Sequence, residues 1–164
     1  MWPHRPGQGI GMKRLTEFLM VLVLALAPAA AAAASGPVYD ENANAPQEIS
    51  AALAMAAKAG KNIVLIFGAN WCPDCRALDA QMHQPDLAEL IAKNYVVVKI
   101  DVGRFDKNLE IGRKYGVPIR RGIPALAVLG PRGKVLFAQS QGQFANARRM
   151  PYQDFRAFFE KWKP

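Results

Sequence analysis

Two short apolar runs set the terms for any fold this chain can take. Asn62 to Phe67 reads Asn-Ile-Val-Leu-Ile-Phe, and Tyr95 to Asp101 is β-branched. Each is too short for most helices and suits a strand, the first of them buried on both faces. The link between them is long and helical. One helix opens at Pro73 and runs toward Met82, Gln84-Pro85 breaks it, and Asp86 caps a second helix that continues through Lys93. Two strands joined in this way lie parallel, with a right-handed crossover.

The flanking sequence extends this unit. Gln47 to Ala59 is Ala-rich, with Ile49, Leu53 and Met55-Ala56 at helical spacing and Gly60 as its stop. A further helix spans Asp106 to Tyr115 and ends at Gly116. Pro124 to Leu129 and Lys134 to Gln139 flank Gly130-Pro131-Arg132-Gly133, so they form an antiparallel hairpin. Pro151 opens a last helix that carries Phe155, Phe158, Phe159 and Trp162 on its apolar side. The predicted class is α/β: a mixed central sheet flanked by helices on both faces, in one domain over 47–164. The chain's 164 residues suit a single domain, and 51% apolar content is enough to build its core.

The first third reads differently. Lys13-Arg14 precede an apolar run from Leu15 to Ala27, Pro28 ends it, and alanines follow from Ala29 to Ala34. A positive start, a short apolar stretch and a small-residue zone are the parts of a secretory signal. The run is shorter than the ~20 apolar residues of a membrane span, although a retained anchor is the competing reading. Residues 1–34 are therefore read as a signal peptide cleaved near Ala34, and Met12 makes a more usual start than Met1. Residues 35–46 are small, polar and Pro-containing, and read as a flexible lead-in. The whole chain carries a formal charge of +8, and 18 basic against 12 acidic residues follow Ala34. The basic residues are scattered, without interleaved aromatics. That pattern argues for a solvated surface and against nucleic-acid binding.

The two cysteines are separated by two residues, in Trp71-Cys72-Pro73-Asp74-Cys75. Pro73 favours a first helical turn because it has no amide hydrogen to leave unpaired there. Cys72 then stands at the cap and Cys75 three residues on, on the same face. The helix start turns free amides and its positive end toward the Cys72 sulfur, and a thiolate gains from both. On this reading Cys72 is the nucleophile and the deeper Cys75 resolves the mixed disulfide. Other readings stay open at this point. A structural disulfide would close so small a loop that it constrains the unfolded chain little. A zinc or copper site would need further ligands, and beyond residue 34 only His83 offers an imidazole.

From about Gln47 to Trp162 the chain resembles the thioredoxin family. The match runs through Phe67-Gly68-Ala69-Asn70-Trp71-Cys72-Pro73-Asp74-Cys75, Asp101 after a strand, Tyr115-Gly116-Val117, Gly122-Ile123-Pro124 and Gly142. The resemblance implies the thioredoxin fold, a redox-active Cys72–Cys75 disulfide, and a cis Ile123–Pro124 bond facing the cysteines. It also implies a substrate groove bordered by Trp71, Ile123 and Pro124, with ordinary core packing as the competing role for Trp71. No metal and no organic cofactor is implied. The implied partners are protein disulfides or dithiols and a thiol electron donor, a membrane thiol transporter being one candidate. The Met82-His83-Gln84-Pro85 break resembles the thioredoxin-like domains of periplasmic thiol-electron transporters.

Several residues depart from the family pattern. Pro73-Asp74 replaces the usual Gly-Pro between the cysteines, and the Asp74 charge opposes a nearby thiolate. Ile66 occupies the place of a buried Asp, so a proton acceptor for Cys75 is missing, or comes from water or elsewhere. Lys99 lies two residues off the register of the family's lysine and reads as a solvated edge residue. Arg120 and Arg121 sit in a longer loop, where they suit either acidic partners or plain solvation. The expectation is an exported, monomeric thiol–disulfide oxidoreductase that works in the reducing direction. The alternative is a non-catalytic scaffold that holds clients or a metal ion.

Overall fold

The computed structural model describes residues 36–164, so the expected signal segment and Ser35 lie outside the described residues. Helix α1 spans Ala45–Ala59. It starts earlier than the apolar spacing suggests because Asn44 caps it, its side chain accepting the Gln47 amide at 3.1 Å. Gly60, at φ 66°, ends it in the left-handed conformation that glycine adopts without a Cβ penalty. Strand β1 (Asn62–Gly68) follows, then α2 (Pro73–Met82), α3 (Pro85–Asn94) and strand β2 (Tyr95–Asp101).

β1 and β2 are parallel and paired from Asn62–Tyr95 to Gly68–Asp101, as the helical link requires. Strands β3 (Ala125–Leu129) and β4 (Val135–Ala138) form the hairpin, with β3 antiparallel to β1. The order β2-β1-β3-β4 puts β1 inside, and all seven of its residues are buried. Its side chains alternate between two cores. Ile63, Leu65 and Phe67 face α1 and the short helix α4 (Leu109–Lys114). Val64 and Ile66 face α2, α3 and the last helix α5 (Tyr152–Lys161), whose Phe155 and Phe159 are fully buried. Removing such a phenylalanine ring from a packed core costs ~3–5 kcal/mol.

Three elements differ from the sequence reading. α4 is shorter than Asp106–Tyr115, because Phe105 and Asn108 take left-handed conformations (φ 66° and 56°) and turn the chain before the helix can begin. Asp86 is not the cap of α3. It lies in the first turn after Pro85, and its carboxylate accepts the Tyr152 hydroxyl and stands 3.5 Å from Arg156, tying α3 to α5. The expected lead-in is not loose. Tyr39 is buried at 1% exposure, and Asn70 pairs with both its backbone groups, accepting from its N–H and donating to its C=O at 2.9 Å each. The folded unit thus begins before α1.

Candidate active site

The end of β1 and the start of α2 deliver the two cysteines. Cys72 is the N-cap, with extended backbone, and Pro73 takes the first helical position. The Cys72 sulfur accepts the Cys75 backbone N–H at 3.1 Å, one of the amides a helix start leaves free. Both cysteines are free thiols and nearly enclosed, Cys72 at 3% and Cys75 at 1% exposure. The Ile123–Pro124 peptide is cis, and the Ile123 carbonyl accepts the Cys72 thiol at 3.6 Å. The cis Ile123–Pro124 peptide therefore lies beside the Cys72 sulfur.

The two thiols are driven apart in acidity. The Cys75 side chain donates a hydrogen bond to the Cys72 sulfur and contributes most to pulling the Cys72 thiol down. Burial opposes this, and the backbone amides of Cys75 and Asp74 add to it, leaving Cys72 at about 7. The same hydrogen bond and burial push Cys75 far above the ordinary thiol range. At neutral pH one thiolate is half-formed at the helix start, beside a reserve thiol that keeps its proton.

The Asp74 charge raises the Cys72 thiol, but by less than the Cys75 bond, burial and the two backbone amides move it. Its own carboxyl is buried, which would push it up. The Arg148 backbone N–H at 2.9 Å and the Arg148 guanidinium, its Nε 3.3 Å away, outweigh burial and hold Asp74 below the usual carboxylate range. Trp71 is 43% exposed, so core packing does not account for it. Its indole N–H donates to the Gly103 carbonyl at 2.8 Å, Phe105 meets the ring edge-on, and the Arg104 guanidinium lies 5.9 Å from its centroid. The residue is thus a fixed wall beside Cys72.

Lys99 is more than a solvated edge residue. It bonds Asp79, which lies one helical turn beyond Cys75 on α2 and also stands 3.6 Å from His83. Arg121 is tied to its own neighbourhood, donating to the Ser140 carbonyl at 2.9 Å and the Gln141 side chain at 3.0 Å, while Arg120 is exposed. Ile66 faces the other core, away from the cysteines. The sequence reading missed Tyr39. Its only signal was a large aromatic inside a run of small polar residues.

The thioredoxin-like family model matches residues 44–131, just over half of the chain. A solved structure of a disulphide isomerase from Xylella fastidiosa Temecula1 is 48% identical, with a TM-score of 0.75, over 78% of this chain and 98% of that one. A thioredoxin from Thermus thermophilus, at 22% identity and a TM-score of 0.52, shares the fold. Probable nucleoredoxin 3 from Oryza sativa subsp. japonica is 31% identical over 120 residues, which cover 60% of this chain. The match spans only 26% of that relative's length.

Proposed function

Because the chain belongs to the thioredoxin-like family, we propose that it is a thiol–disulfide oxidoreductase acting on protein thiols through Cys72 and Cys75. The observation that carries this reading is the split of the two thiols, with Cys72 at about 7 on the helix cap and Cys75 protonated behind it. The Cys72 thiolate attacks a substrate disulfide. A mixed disulfide forms, and Cys75 then attacks Cys72 to release the reduced substrate thiol. Trp71 and the Ile123–Pro124 segment border the sulfur where the substrate chain would lie, and Pro73 and Asp74 tune it.

We propose the reducing or isomerising direction. Apolar Ile123 offers the Cys72 thiolate no side-chain hydroxyl, and the Asp74 charge disfavours it, so the dithiol is the better electron donor. The likeness to a disulphide isomerase supports the same direction. Family potentials run from ~ −270 mV for thioredoxin to ~ −120 mV for the strongest oxidant. The reduced protein should speed insulin reduction by dithiothreitol, and equilibration with glutathione should give a potential near the reducing end. No acceleration would favour the non-catalytic scaffold, and a potential near −120 mV would reverse the direction.

We further propose that the chain works outside the cytoplasm as a monomer, recharged by another thiol protein such as a membrane thiol transporter. The support is the tripartite front end from Lys13 to Ala34. N-terminal sequencing of the exported form should read from near Ser35. Recovery of an intact 15–27 segment in the membrane fraction would replace cleavage with a retained anchor.

A further inference from the structure

In the resolving step Cys75 must lose its proton inside the protein, because only a thiolate attacks a disulfide. The surroundings oppose that. Cys75 is 1% exposed, and its partner in the dithiol form, the Cys72 sulfur, is spent once Cys72 is bonded to substrate. Two donors favour the Cys75 thiolate: the Ala69 backbone and the Tyr39 side chain. The Tyr39 hydroxyl also stands close to the Cys75 sulfur. A β-carbon placed on Gly68 would lie 2.2 Å from the Tyr39 hydroxyl oxygen and 2.8 Å from Cys75 Sγ. Both atoms therefore occupy the space that glycine leaves bare at the end of β1. The Asn70 amide fixes the Tyr39 backbone from the loop directly before Cys72, so the helix start and the tyrosine are positioned together.

We propose that Tyr39 assists resolution, its hydroxyl donating a hydrogen bond to the Cys75 sulfur as that thiol becomes the attacking thiolate. This rests on the role given above to Cys75. The step balances as follows. The Cys75 sulfur bonds to the Cys72 sulfur, the Cys72–substrate bond breaks, and its electron pair leaves with the substrate sulfur. The Cys75 proton ends on that sulfur, directly or through water, while Tyr39 keeps its own. Burial, then the charge of Cys75, hold the Tyr39 hydroxyl well above the ordinary tyrosine range, so it serves as a donor and not as a base. The other titratable groups facing it are Cys72 and Asp79 of α2, and Asp79 is itself paired with Lys99 of β2.

Tyr39→Phe removes the hydroxyl and keeps the ring. The reduced full chain should release thionitrobenzoate from dithiobis(nitrobenzoate) in two phases, the first on Cys72 attack and the second on Cys75 attack. With Tyr39→Phe the second phase should slow about ten-fold and its pH profile should move up about one unit, as for a lost bond to a charged group. The first phase should be unchanged. If Tyr39→Phe compromises folding, difluorotyrosine at position 39 keeps the ring and the hydroxyl but makes the hydroxyl a stronger donor, and the pH profile of the second phase should then move down. An unshifted second phase, or equal slowing of both phases without a pH displacement, would overturn the proposal. A parent protein with no second phase would instead overturn the role of Cys75, and this inference with it.

Discussion

Replacing Cys72 by serine should reduce disulfide exchange to the uncatalysed background, a loss on the order of 1000-fold or more. Replacing Cys75 should instead leave the first attack intact and strand the protein in mixed disulfides with its substrates. The asymmetry follows from placement. The Cys72 sulfur is the one at the helix cap, accepting an amide and lowered to about 7, whereas Cys75 is enclosed and keeps its proton. Electrophoresis without reductant, from cells making each variant, separates the two outcomes. The Cys75→Ser protein should carry substrates as heavy bands that dithiothreitol dissolves. If Cys72→Ser traps substrates in its place, the two roles are exchanged.

The reactivity of Cys72 should change about 100-fold between pH 5 and its plateau above neutrality. Iodoacetamide reacts with the thiolate, whose fraction falls about ten-fold for each pH unit below a midpoint of about 7. Burial of the sulfur lowers the plateau rate without moving that midpoint. Mass spectrometry should find one added group, on Cys72, since Cys75 stays protonated throughout the range. Stability should follow the same titration. Folding lowers the Cys72 value, so the folded dithiol gains from pH 7 upward to the unfolded thiol value of ~8.5, and the gain is lost as pH falls through about 7. The thermal midpoint of the reduced protein should therefore rise over that interval. A midpoint of alkylation at the free thiol value of ~8.5 would mean that neither the Cys75 thiol nor the helix start acts on Cys72.

Local pattern made much of this architecture legible. The continuous apolar run of β1 and the helical link to β2 fixed a parallel pair, and Pro73 fixed where α2 begins and hence which cysteine caps it. The Gly130–Gly133 turn gave the hairpin. What escaped was set by contacts between distant residues. The partner of Asp74 is Arg148, whose backbone and side chain meet it from a 3-10 turn 74 positions on. Tyr39 owes its burial to Asn70, and its approach to Cys75 to the missing side chain of Gly68. None of these leaves a periodic trace. The start of α4 was misplaced for a local reason, since two left-handed non-glycine residues carry no strong sequence mark.

The anchoring of Tyr39 bears on where this module can be cut. The matched family region begins at residue 44 and stops at 131. A fragment with those boundaries keeps both cysteines and the Ile123–Pro124 border. It discards the tyrosine that meets Cys75, and with it Phe155 and Phe159, which fill the core beneath β1 and β3. A graft of the shorter piece into another protein would carry the motif across without the hydroxyl beside Cys75. A unit that keeps Tyr39 beside Cys75 and both phenylalanines in the core runs at least from Tyr39 through α5, longer than the matched region.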